Sequence, residues 1–170
     1  MANDTSLTLN LLTPEHTLEL GKQLGHLLAA GTILLLEGDL GTGKTTLIQG
    51  LGAGLGITDP IVSPTFALIH EYPEGRIPLY HFDLYRLTPA EVYDLHPEHY
   101  WLGLEAPLGI TAIEWPQRLV ALPENHLKIK LTHTEQGRIA VFTVFGLVTH
   151  WHKVRQSFTN GSFVTQSITL

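Results

Sequence analysis

Residues Gly38-Asp39-Leu40-Gly41-Thr42-Gly43-Lys44-Thr45 satisfy the pattern G-x-x-x-x-G-K-[ST] at every fixed position. Such a loop needs a strand before it and a helix after it, and the flanking residues supply both. Thr32-Ile33-Leu34-Leu35-Leu36-Glu37 is a short apolar run ending at Gly38, and from Lys44 onward Leu47, Ile48, Leu51 and Leu55 recur at helical spacing. The chemistry follows from the backbone. Glycines at 38, 41 and 43 admit conformations in which consecutive amide N–H groups converge on one anion. The helix that follows aims its positive end at the same point. Lys44 is then placed for the β- and γ-phosphates, and the Thr45 hydroxyl for Mg²⁺. The chain is expected to bind a nucleoside triphosphate.

Length and composition bound the rest. A chain of 170 residues suits one domain that buries most of its apolar surface. There is no cysteine, which excludes disulfides, zinc–thiolate sites and thiol nucleophiles. The start, Met1-Ala2-Asn3-Asp4-Thr5, has no basic or apolar signal character, and no apolar run approaches the ~20 residues of a membrane span. The expectation is a cytoplasmic protein. Net charge is −6, and the ten Lys and Arg residues are scattered. Proteins that grip nucleic acid neutralise phosphates with clustered basic residues, so direct tight binding to nucleic acid is disfavoured.

Along the chain, Leu7 to Leu12 read as a first strand. Thr13 caps a helix that carries Pro14 at its first position, an apolar stripe at Leu20, Leu24, Leu27 and Leu28, and Gly31 as its close. Gly50, Gly52 and Gly54 weaken the phosphate-loop helix, and close helix–sheet packing is their plausible use. Ile61 to Phe66 is an extended, proline-restricted segment. Ala67 to Tyr72 and Ile77 to Asp83 pair as an antiparallel hairpin, which makes the sheet mixed. A short helix over Pro89 to Leu95 takes Thr88 as its cap. Gly109 to Glu114 is a buried strand, Trp115-Pro116 leads into a short helix through Leu119, and Leu127 to Leu131 with Arg138 to Phe145 form a last hairpin. The fold expected is α/β, a P-loop NTPase-like three-layer arrangement with a mixed central sheet and a C-terminal β-hairpin. Residues 1–146 read as the nucleotide-binding domain and 147–170 as an extension. In that extension Leu147 to Phe158 is helical and Asn160-Gly161 signals a hairpin.

A triphosphate site also needs an acidic group where a strand ends beside the loop. Asp83 and Glu114 both close apolar strands. Glu114 is expected to act on Mg²⁺, and Asp83 to hold the metal shell or orient the attacking water. Arg86 has two uses open to it, stabilising phosphoryl charge or gripping a partner. Ser63 and Thr65 offer hydroxyls suited to a switch that senses the γ-phosphate. Trp115, beside Glu114, is placed to contact the base, whereas Trp101 and Trp151 read as packing residues. The histidine pairs His96/His99 and His150/His152 lack the adjacent carboxylates of a transition-metal centre.

The phosphate loop together with Thr46, Ser63-Pro64-Thr65-Phe66, His81-Phe82-Asp83-Leu84-Tyr85-Arg86-Leu87 and Glu114-Trp115-Pro116 resembles the bacterial TsaE (YjeE) family, in order and spacing, over roughly residues 5–145. The resemblance implies an ATPase that serves the threonylcarbamoyladenosine modification of tRNA. It implies TsaD and TsaB as protein partners, ATP and Mg²⁺ as ligands, and contact with tRNA only through those partners. Carried onto this sequence, it puts nucleotide contacts on residues 38–46, Mg²⁺ ligands on Thr45 and Glu114, the essential aspartate on Asp83, catalytic roles also on Lys44 and Glu114, and looser nucleotide contacts on Thr13 and Arg138. Residues 147–170 carry none of these motifs. A small-molecule kinase on the same fold would need an arginine-rich lid that this chain lacks. No Asn-Lys-x-Asp motif argues for GTP. A binding module that never hydrolyses is disfavoured by the presence of both Asp83 and Glu114.

Overall fold

The computed structural model describes residues 5–159, built on a seven-stranded sheet. In chain order the elements are β1 (Ser6–Leu11), α1 (Pro14–Leu27), β2 (Ile33–Glu37), α2 (Lys44–Leu55), β3 (Ile69–Tyr72), β4 (Leu79–Asp83), α3 (Pro89–Leu95), α4 (Glu98–Trp101), β5 (Ile110–Glu114), β6 (His126–Thr134), β7 (Gly137–Phe145) and α5 (Trp151–Thr159), with a 3-10 turn at Pro116–Arg118. The strand order is β1-β7-β6-β2-β5-β4-β3. β2 pairs in parallel with β6 and β5, β5 pairs in parallel with β4, and the three outer pairings are antiparallel. The α/β fold with a mixed sheet is the one expected.

The core divides on the two faces of the sheet. Leu34, Leu36, Ile110 and Ala112 join Leu20, Leu24, Leu47, Ile48 and Leu51 of α1 and α2 in one cluster. Ile33, Leu35, Tyr80, Phe82 and Ile113 face the other way, against Val92 of α3 and Tyr100 and Trp101 of α4. Strands buried on both faces read as unbroken apolar runs, as β2 and β5 do. The three layers set β2, β5 and β4 side by side, with their carboxyl ends at the amino end of α2.

Several boundaries differ from those read off the sequence. α1 stops at Leu27, because Leu28 turns extended (ψ 145°) and is fully buried; Gly31 lies in the turn beyond, at φ 84°. Gly50 and Gly54 serve helix–helix contact rather than helix–sheet contact. A Cβ on Gly50 would run into the Leu18 carbonyl and one on Gly54 into that of Lys22, while α1 answers with Gly21 and Gly25 against Leu47 and Leu51. Gly52 faces Ile61 instead. β3 begins only at Ile69, since Leu68 sits at φ 71° in a turn closed by its N–H on the Pro64 carbonyl (2.6 Å). α4 was not legible in the sequence. α5 starts at Trp151 rather than Leu147, after residues at positive φ, Gly146 (62°) and His150 (67°). It buries Val154 and Phe158 completely, in the cluster that holds α1 and α2. The hairpin read at Asn160-Gly161 lies outside the described residues. Among the described residues no helix is long and apolar enough to cross a membrane.

Candidate functional site

The phosphate loop runs from the end of β2 to the start of α2. Gly38 stands at φ 147° and Gly43 at φ 100°. A Cβ on Gly38 would lie 2.6 Å from both the Leu131 carbonyl and Thr42 Oγ1, so glycine is required there by space as well as by conformation. Thr42 fixes the turn by donating its hydroxyl to the Asp39 carbonyl at 2.9 Å. Gly43 brings no side-chain cap to α2, which leaves the first-turn amides of Lys44, Thr45 and Thr46 to be satisfied from the cleft. An uncapped helix start with glycine before it is a ready receptor for an anion.

Lys44 is buried and folds back along its own loop, with Nζ donating to the carbonyls of Gly38 (2.6 Å) and Asp39 (3.0 Å). Its ammonium also lies 4.4 Å from the centre of the Trp115 ring. Burial pushes its pKa below the ordinary lysine value, while the negative charges of Glu114, Asp83 and Asp39 pull it back up.

The two acids stand side by side, because β4 and β5 are parallel and in register at Asp83 and Glu114. Both are almost fully buried. Glu114 Oε1 accepts the Thr45 hydroxyl at 3.0 Å and His81 Nε2 at 2.8 Å. Asp83 Oδ2 accepts the hydroxyls of Ser63 (3.1 Å) and Thr65 (2.9 Å), themselves 2.8 Å apart, and Oδ1 accepts the Tyr85 amide at 3.0 Å. The extended segment before β3 is thus fastened to the strand-end aspartate.

These groups border one cleft of about 440 Å³, lined by Leu40, Gly41, Gly43, Lys44, Thr45, Thr46, Ser63, Thr65, Asp83, Tyr85, Arg86, Glu114, Trp115 and Arg138. Most of the residues singled out in the sequence meet there. Gly38, Asp39 and Thr42 shape the loop from beneath. Arg138 reaches in from the start of β7, where its side chain lies close to Gly43. Arg86 holds its guanidinium 4.2 Å from the centre of the Phe66 ring, which is 83% exposed. Trp115 takes φ 61° and packs its ring against Tyr85, with centroids 4.8 Å apart. Thr13 does not line the cleft. Its hydroxyl is spent on the His16 amide as the cap of α1. Two contributors, His81 and Tyr85, stood in the run singled out around Asp83 but were given no role of their own. For His81 a signal was present: it sits two residues before Asp83, and in a strand that spacing puts both side chains on one face.

The donors suit a hard cation. Thr45 and Glu114 present a hydroxyl and a carboxylate within 3.0 Å, both oxygen ligands of the kind Mg²⁺ takes alongside phosphate oxygens and water. Thr45 and Glu114 would hold the ion, which when bound neutralises phosphate charge. Away from the cleft, His96, Glu98 and His99 bring one ligand atom each within 4.8 Å, and Glu105 accepts from His99 at 2.8 Å. Carboxylates therefore do accompany this pair: Glu98 stands between the two histidines in sequence, and the chain beyond α4 brings Glu105 back to His99.

A family model described as threonylcarbamoyl adenosine biosynthesis protein TsaE matches residues 11–140, which include every residue of the cleft. The chain belongs to the TsaE family. A TsaE of Nostoc sp., named a tRNA threonylcarbamoyladenosine biosynthesis protein, is 56% identical over 146 residues, covering 85% of this chain and 90% of that one. The TsaE of Bacillus subtilis is 39% identical over 137 residues, covering 79% and 84%. Among solved structures, the crystal structure of Bacillus subtilis YdiB superimposes with a TM-score of 0.69 at 29% identity, covering 89% of this chain and 92% of YdiB.

Proposed function

We propose that this TsaE-family chain is a Mg²⁺-dependent ATPase that acts with TsaD and TsaB in the threonylcarbamoyladenosine modification of tRNA. The observation that carries the reading is the convergence of Lys44, Thr45, Asp83 and Glu114 at an uncapped helix start, in one cleft. In this reading the loop amides and Lys44 hold the β- and γ-phosphates, Thr45 and Glu114 hold Mg²⁺, and Asp83 orients the water that attacks the γ-phosphate. Ser63 and Thr65, already bonded to Asp83, make the segment they belong to responsive to what occupies the cleft. A net charge of −6 with scattered basic residues favours action through protein partners over a direct grip on tRNA.

The test is reconstitution. The purified chain should hydrolyse ATP slowly alone, bind TsaD–TsaB in an ATP-dependent manner, and be required for repeated rounds of modification. Equal modification yield over many turnovers without the chain, or no capture of TsaD and TsaB with or without ATP, would overturn the proposal.

A further inference from the structure

His81 is fully buried on β4, and its Nε2 lies 2.8 Å from Glu114 Oε1. Its register partner on β5 is Ala112, two residues before Glu114. The other ring nitrogen, Nδ1, is buried with no hydrogen-bond partner among the described residues. A neutral imidazole carries one proton, and only the tautomer with it on Nε2 donates to Glu114. A buried ring nitrogen without a partner costs about 1–3 kcal/mol, a penalty that leucine at the same place would not incur. Packing alone therefore does not account for a histidine here.

We propose that His81 is a positioning residue for Glu114, and this rests on the ATPase reading above. Both hydrogen bonds to the carboxylate fall on Oε1, from Thr45 and from His81. They orient the carboxylate and occupy one oxygen, leaving Oε2 without a hydrogen bond among the described residues, where Glu114 would meet a cation. Thr45 loses nothing by this. A hydroxyl has one proton to donate and lone pairs to spare, so it can donate to Oε1 and still ligate the cation. A partner that orients a metal-ligating side chain in this way commonly carries a 10–100-fold share of metal affinity.

The experiment is calorimetric titration of ATP into the full chain across a series of Mg²⁺ concentrations, with thermal unfolding of each variant as the control for folding. His81→Leu should raise the Mg²⁺ needed for half-maximal tightening of ATP binding by roughly 10-fold or more, with ATP affinity in EDTA unchanged. His81→Gln, whose amide N–H₂ reaches near the position of Nε2, should recover most of the loss. His81→Asn, which is too short, should not. In a Glu114→Ala background the His81→Leu change should shift the Mg²⁺ requirement by less than about 2-fold, because the group it positions is gone. A folded His81→Leu chain with the wild-type Mg²⁺ requirement overturns the proposal. Should His81→Leu fail to fold, equal Mg²⁺ requirements for His81→Gln and His81→Asn overturn it. Wild-type protein that shows no Mg²⁺-dependent binding of ATP would instead sink the ATPase reading itself.

Discussion

At Lys44 the demands of folding and of ligand binding meet. Its ammonium is drawn out of water and held by two carbonyls of its own loop and the face of Trp115. Offered a triphosphate, the same group can exchange neutral carbonyl acceptors for anionic ones and gain a direct charge–charge attraction in a site largely withdrawn from water. Lys44→Ala should therefore weaken ATP binding by at least ~100-fold, about 2.8 kcal/mol at ~1.4 kcal/mol per tenfold, as read by displacement of a fluorescent nucleotide. Asp83→Ala and Glu114→Ala should keep measurable ATP binding and lower steady-state phosphate release by on the order of 100-fold, the cost of losing a group that positions the reacting atoms. Wild-type turnover in either variant would remove that residue from the chemistry. Much of this cleft was legible beforehand, because the G-x-x-x-x-G-K-[ST] loop and strand-closing carboxylates are local patterns. His81 and Arg138 were harder. Their importance depends on which strands become neighbours, and the pairing of β4 with β5, or of β7 with β6, is a property of the sheet.

Glycine spacing sets how α1 and α2 approach each other. Gly21 and Gly25 on one helix, and Gly50 and Gly54 on the other, each lie four apart, so each pair occupies one helical face. In an exposed helix, glycine to alanine would stabilise by about 1 kcal/mol through propensity alone. Here the added methyl meets backbone carbonyls, so Gly50→Ala and Gly54→Ala should each destabilise, by about 1–3 kcal/mol in urea denaturation. A stabilising effect would contradict the packing described. The glycines were visible as a weakness of α2, but their purpose required knowing which element lay against them. At the start of β6, His126 donates from Nδ1 to the Pro123 carbonyl (2.7 Å) while Nε2 is buried without a hydrogen-bond partner among the described residues. Burial lowers its pKa, the largest effect on it, so the unfolded chain binds a proton more readily than the native one. The sign follows: stability from this group is intact above the ordinary histidine value of ~6.5 and falls as the pH drops through it. His126→Gln should flatten the dependence of the melting temperature on pH between about 5 and 7; an unchanged slope would count against this assignment.

On the scale of the whole molecule, the sheet places its parallel centre, β6-β2-β5-β4, between two helical layers and gathers the chemistry at the carboxyl ends of its strands. The alternation of apolar runs and helical stripes made this arrangement legible. The course of the chain after Gly146 was not, since the amphipathic pattern of α5 does not say which core it joins. In the structure Phe158 is fully buried and its ring centroid lies 6.1 Å from that of Phe142 on β7. Phe158→Ala should cost about 3–5 kcal/mol of stability, measured by chemical unfolding of the full chain. A loss below ~1 kcal/mol, the size of an ordinary surface change, would contradict the docking of α5. The central claim is that this fold presents one Mg·ATP site, made by the phosphate loop, Thr45 and Glu114. Isothermal titration of Mg·ATP into the folded chain tests it most directly. The account predicts a saturable heat at one nucleotide per chain that disappears in Lys44→Ala; no heat from the wild type, or an equal heat from Lys44→Ala, would contradict it.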